Sequence, residues 1–145
     1  MYKFKLQPVL DQREFVEENL KKELASCKAL LKEENAKLNG YKASKARLMV
    51  ELGHRKKKKA TISEILLYVG FIEQVSRDIE KQKIRVSQVK SLFDEKLASL
   101  VEAMKDKKSI EKLKEKEMTS YKLKSLKKEQ NFLDEVAIQR FHTRR

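Results

Sequence analysis

A stripe of apolar residues, stepping alternately three and four positions, runs along most of this chain and is interrupted once, at residues 53–61. That period belongs to helices that lie along other helices, because a repeat of 3.5 residues keeps one seam facing a partner. In the first segment the stripe is Leu6, Leu10, Leu20, Leu24, Cys27, Leu31, Leu38, Tyr41, Leu48 and Leu52, with Arg13, Glu17, Glu34 and Lys45 at its remaining positions. In the second it is Ile62, Ile65, Val69, Ile72, Ser76, Ile79, Lys83, Val86, Lys90, Phe93, Leu97, Leu100 and Met104. Near Arg13 and Glu17 the seam is expected to shift onto Phe15 and Val16. Three glycines and one proline in 145 residues leave little material for strands and tight turns. What such a chain can bury is a seam between helices, not a layered core.

The interruption has the chemistry of a turn. Gly53 follows the last apolar residue of the first stripe, where a glycine can take the left-handed angles of a helix cap. The basic run 54–59 suits the partial negative charge of a helix C-terminus. Thr61-Ile62-Ser63-Glu64 then reads as a capping box, with the Thr61 hydroxyl accepting from the Glu64 N–H and the Glu64 side chain reaching back. These signals predict a helix over about 6–53, a turn over about 54–61 and a helix over about 62–140; one uninterrupted helix is the alternative. Neither stripe stays folded while exposed to water, and zipping the two together buries both. The expected fold is all-α, a single domain over 1–145: two long helices in an antiparallel coiled-coil hairpin with an overhanging C-terminal helix. Pairing between two copies of the chain would bury the same stripes.

The overhang follows from length. At 1.5 Å per residue the first segment spans roughly 68 Å and the second roughly 120 Å, so the second is expected to lose its partner from Lys107 onward. Residues 105–128 carry ten lysines against four acids, and a helix of that kind is marginal alone in water. Apolar spacing returns at Phe132, Leu133, Val136, Ala137 and Phe141, which points to a rod that docks into another protein. A second apolar stripe, Tyr68, Phe71 and Val75, lies beside Val69 and Ile72, and Met49 and Val50 are similarly in excess. A two-helix seam cannot cover both stripes, so this aromatic face suggests a partner site. Gly40 interrupts a helix interior and marks either a close approach or a soft point.

The formal net charge of +13 predicts acidic partners without choosing among nucleic acid, anionic lipid and acidic protein. The single cysteine, Cys27, excludes an intrachain disulfide and fits a reducing compartment, where it is expected as a small buried hydrophobe. The opening residues lack the apolar run of a signal peptide, and the longest apolar stretch, 65–72, falls far short of the 20 or so residues that span a bilayer. His54 and His142 stand apart from other ligand-type or nucleophile-type residues, and there is no glycine-rich phosphate loop, so neither an enzyme nor a cofactor or metal site is expected. Zinc spacing and aromatic–basic RNA-binding patterns are lacking as well, and nucleic acid is not an expected partner.

The arrangement resembles the FliJ family of the bacterial flagellar type III export apparatus. The resemblance covers the whole chain. It rests on Phe4-Lys5-Leu6 followed by Val9-Leu10, on Tyr68-x-x-Phe71-Ile72 just beyond the turn, and on Glu129-Gln130, Leu133-Asp134-Glu135 and Ala137 near the end. It implies an antiparallel coiled coil similar to the central stalk of a rotary ATPase. Such a protein sits in the ring of the flagellar export ATPase, favours its hexamer, contacts the cytoplasmic part of the membrane export gate and escorts export chaperones. Carried onto this chain, the gate face would be Tyr41, Leu48, Tyr68, Phe71, Val75 and Gln82, and the ring-inserted end would hold Glu129, Gln130, Leu133, Asp134 and Glu135. The resemblance further implies a cytoplasmic protein, held peripherally at the inner face of the membrane at the flagellar base through its partners. The lysine content is heavier than the family's, so charge-specific contacts do not transfer. A basic coiled coil that binds nucleic acid, and a purely structural coiled-coil homodimer, are the alternatives.

Overall fold

A computed structural model describes residues 2–143. They form two helices, α1 (Gln7–Lys57, 51 residues) and α2 (Ile62–Thr143, 82 residues), with no strand among the described residues. The two helices pack against each other. The chain divides into two units, one of Asn19–Leu100 and one of Met1–Glu18 with Val101–Arg145.

In the unit Asn19–Leu100, partners on α2 rise in number as those on α1 fall: Gln82 meets Glu34, and Lys96 meets Glu23. The two helices therefore run in opposite directions here. Cys27, Leu38, Ile79, Val89 and Leu100 are buried, and Val89, 2% exposed, is the most enclosed large side chain among the described residues. Burying a side chain of this size contributes about 1.5–3 kcal/mol, an upper bound because the unfolded chain is itself partly collapsed.

The α2 seam differs from the sequence expectation. It steps through Ile79, Gln82, Val86, Val89, Phe93, Lys96 and Leu100, all buried or half-buried, and leaves Lys83, Lys90 and Leu97 exposed. Hydrophobicity favours Leu97 over Lys96. In the folded protein Lys96 Nζ instead reaches Glu23 Oε2 across the seam at 2.9 Å, so its stem is covered while its charge is met.

The turn also belongs to this unit, and its geometry corrects the role of Gly53. That glycine is helical, and α1 continues to Lys57. The left-handed residue is Lys59, with φ 57°. The Ala60 N–H donates to the Arg55 carbonyl at 3.2 Å, the six-to-one bond of a Schellman cap. Glycine permits a helix to end but does not oblige it to, and here the basic run supplies further helical turn before the chain reverses. Thr61 caps α2 as expected: its hydroxyl accepts from the Glu64 N–H at 3.3 Å, and its carbonyl accepts from the Ile65 N–H at 3.1 Å. Gly40 is no close approach, since a methyl group built on it would meet nothing within 4 Å.

In the other unit the first residues and α1 meet α2 in the same opposed sense. Arg13 pairs with Asp106 at 3.6 Å and Glu17 with Lys107 at 3.0 Å. Lys114 donates to the Gln7 side chain at 2.7 Å, and the Tyr2 hydroxyl donates to Glu117 at 3.3 Å. Two expectations fail here. Glu17, 5% exposed, keeps its seam position, while of the two residues expected to replace it Phe15 is 65% exposed and Val16 half-buried; the Lys107 ammonium makes the buried carboxylate tolerable, so the seam need not leave Glu17. Second, α2 does not lose its partner at Lys107. Residues 2–6 precede the helix as a strap that turns into it at Lys5 and Leu6: Phe4 is buried, the Tyr2 ring lies 5.4 Å from that of Tyr121, and Lys114 sits 6.0 Å over the Phe4 ring. Burial and the Glu117 charge push the Tyr2 hydroxyl pKa upward. From 122 to 143 every residue is exposed except half-buried Val136.

Candidate partner-binding surfaces

The face near the turn is built on a two-helix frame whose register is set by one polar node. Gln82 Nε2 donates to Glu34 Oε2 and to the Glu34 backbone carbonyl, with Lys37 at 3.7 Å and Arg85 at 3.9 Å from the same carboxylate. The hydrogen bond from Gln82, aided by the two cations and opposed by burial, holds the Glu34 pKa below its ordinary value. Two helical turns toward the loop from this pair, Tyr41 comes level with Val75, and two turns further Leu48 comes level with Tyr68. Four of the residues expected to contact a gate thus share two levels of the pair. Tyr41 and Phe71 are exposed, Phe71 by 49%, while Leu48, Val75 and Tyr68 are half-buried.

Tyr68 is positioned rather than loose. The Arg55 guanidinium lies 5.6 Å over its ring and is held by Glu51 at 3.2 Å; the Phe71 ring stands edge-on to it at 6.4 Å. The Glu51 hydrogen bond keeps the Arg55 pKa raised. Gln82 lies one level beyond Val75 and is committed to Glu34. Sequence reading had no signal for that node, because Glu34 reads as a flaw in the apolar stripe until its partner on the other helix is known.

The second surface is the last part of α2. Glu129, Gln130, Leu133, Asp134 and Glu135 are all exposed, and with them Leu123, Leu126, Phe132, Ile138 and Phe141. Lysines at 122, 124, 127 and 128 precede acids at 129, 134 and 135, so the segment is basic first and acidic later. Exposed large side chains at this density, on a helix, suit insertion into a partner's cavity.

Among the described residues no group of three or more His, Cys, Asp or Glu is placed to hold a metal ion, and Cys27 is buried in the seam. No helix among the described residues is long and apolar enough to cross a membrane.

Neither a curated protein nor a solved structure matches the chain. A family model does: the one described as "Flagellar FliJ protein" matches residues 2–145. The chain belongs to the FliJ family, and is thereby a component of the flagellar export apparatus.

Proposed function

We propose that this protein is the stalk-like subunit of the flagellar export ATPase complex, an α-helical hairpin without catalytic activity of its own. The C-terminal stretch of α2 overhangs the paired helices, enters the ATPase ring and favours its hexamer. The observation that carries this reading is the exposure of 122–143 on a helix that bears Leu123, Leu126, Phe132, Leu133 and Phe141. Such a helix is marginal alone and gains by entering a cavity. Its lysines complement an acidic inner wall, and Glu129, Gln130, Leu133, Asp134 and Glu135 make the deepest contacts.

The face near the turn contacts the cytoplasmic part of the export gate through Phe71, Tyr41 and the edge of Tyr68. Val75 and Leu48 support these side chains from below, and Gln82 fixes the register through Glu34. Coupled in this way the protein links ring to gate and hands over export chaperones, in the cytoplasm at the inner face of the membrane.

The test is to mix the full chain with its cognate ATPase and to measure hexamer formation and ATP turnover. Both should rise. A Leu133→Asp substitution should abolish the increase while leaving helicity by circular dichroism intact. No change in either quantity with the unaltered chain would refute the stalk role. For the gate face, Phe71→Ala with Val75→Ala should lose gate binding and keep helicity; retained binding would refute that assignment.

A further inference from the structure

The turn end of the unit Asn19–Leu100 carries more unpaired charge than folding requires. His54, Arg55 and Lys56, Lys57, Lys58 and Lys59 are consecutive and exposed. Arg55 is taken by Glu51 and the Tyr68 ring. No ion pair among the described residues engages Lys56, Lys57, Lys58 or Lys59. Lys59 also occupies the one left-handed backbone position among the described residues, where glycine would sit without strain. A strained non-glycine residue that brings a charge to the tip motivates a functional reading of that charge.

The same tip exposes large aliphatic side chains. Ile62 is 77% exposed, and Leu66 is 62% exposed. Four residues apart, they lie on one face of α2. That face continues to Val69, which shares a shallow groove with Met49 and Lys56. Cations and aliphatic groups therefore share the turn end of this unit, and Lys56 borders the groove that Val69 lines. A nucleic-acid backbone has phosphates for the lysines but nothing for Ile62 and Leu66. An anionic bilayer has both: a plane of phosphate headgroups, and acyl chains just beneath it that accept short aliphatic groups while lysine stems keep their charges at the surface.

From this combination we infer that the turn is a membrane-docking tip, which places Lys56, Lys57, Lys58 and Lys59 on anionic phospholipid headgroups and buries Ile62 and Leu66 in the interfacial layer. Each lysine near an anionic surface is worth about fivefold in partitioning, and neither signal suffices alone. Phe71 lies nine residues from Ile62, half a turn out of phase at 3.6 residues per turn, so the docked tip leaves the Phe71 side of α2 free. The inference is independent of the stalk reading, because it needs neither ATPase nor gate.

Co-sedimentation of the full chain with vesicles tests it, comparing phosphatidylcholine containing phosphatidylglycerol with phosphatidylcholine alone. Binding is expected only to the anionic vesicles, falling as salt is raised. Lys56→Glu with Lys58→Glu should weaken it by about 25-fold or more. Ile62→Ser with Leu66→Ser, both exposed and so compatible with folding, should weaken it by roughly tenfold without changing net charge. Lys124→Glu with Lys127→Glu, which alters the net charge equally but far along α2, should leave binding within about twofold of the unaltered chain. Equal losses in the two lysine pairs would reduce the effect to net charge and overturn the inference. So would full binding by the Ile62→Ser, Leu66→Ser variant together with displacement by duplex DNA at equal phosphate, which would make the tip a general polyanion binder.

Discussion

Gln82 donates its side-chain amide to the Glu34 carboxylate at 2.6 Å and to the Glu34 backbone carbonyl at 2.9 Å, from the opposite helix. A carboxylate 6% exposed, at a position where the stripe calls for an apolar residue, costs stability unless its oxygens are met. Gln82 meets them only in one alignment of the two helices. A slip along the seam strands both groups, so the pair specifies register as a lone polar residue does in other coiled coils.

Removing the donor should therefore expose the cost. Gln82→Leu is expected to lower the thermal midpoint at neutral pH by roughly 5 °C. Adding Glu34→Leu should restore the midpoint, because an apolar pair fits the seam without the desolvation penalty. Thermal unfolding of the two variants decides the point; a midpoint unmoved by Gln82→Leu would contradict the node's role.

The acid limb of stability follows from the same pair. Glu34 has a folded-state pKa below its ordinary value of 4.5, chiefly through the Gln82 hydrogen bond. Its contribution is present above pH 4.5 and is lost as pH falls through the depressed value. The midpoint should drop on acidification below that point, and by less in Gln82→Leu, whose Glu34 titrates nearer its ordinary value. The alkaline limb has the opposite sign. Lys96 and Lys107 are raised above 10.5 by their hydrogen bonds to Glu23 and Glu17. Their contribution is fully present below pH 10.5 and is lost as pH rises through the raised values. Replacing both by Gln should flatten the alkaline fall, which a pH series of melts would register.

Glycine and lysine stand in each other's best places around the turn. Gly40 and Gly53 are helical with open space where a methyl group would go, and Lys59 is left-handed. Gly40→Ala and Gly53→Ala should each stabilise by about 1 kcal/mol, adding when combined because they lie far apart along α1. Lys59→Gly should stabilise by roughly 1 kcal/mol for the reverse reason. Denaturant titration checks all three.

The strap at the start of the chain makes a local prediction. Phe4→Ala should cost about 3 kcal/mol, the usual toll of truncating a buried phenylalanine. Hydrogen exchange should quicken in 114–121 of α2, where the strap makes its contacts, and not in Asn19–Leu100.

How far these features were legible in the sequence depends on the range of the contact that decides each. Helix type and the Thr61 cap are local, set by period and by a hydroxyl three residues before its donor, and both were legible; the turn was legible only as lying within 53–61, because α1 runs on to Lys57. The α2 seam was read by strictly alternating steps and missed Gln82, Val89 and Lys96; hydrophobicity favours Val89 over Lys90, while the places of Gln82 and Lys96 are decided by Glu34 and Glu23 on the other helix. The strap escaped notice because Tyr2 meets Glu117, 115 residues away, and no local pattern announces a partner so distant. Of the candidate surfaces, the Tyr68–Phe71 face was legible as surplus apolar spacing. The residues proposed to enter the ring come from family resemblance alone.

The central proposal is that 122–143 of α2, exposed along all but Val136, is kept for the ATPase ring. Hydrogen exchange on the full chain, alone and with the cognate ATPase, tests it most directly. Amides in 122–143 should exchange fast in the free chain and become protected when the ring is added, while those around Val89 stay protected throughout. Slow exchange of 122–143 in the free chain, or no gain in protection with the ring, would contradict it.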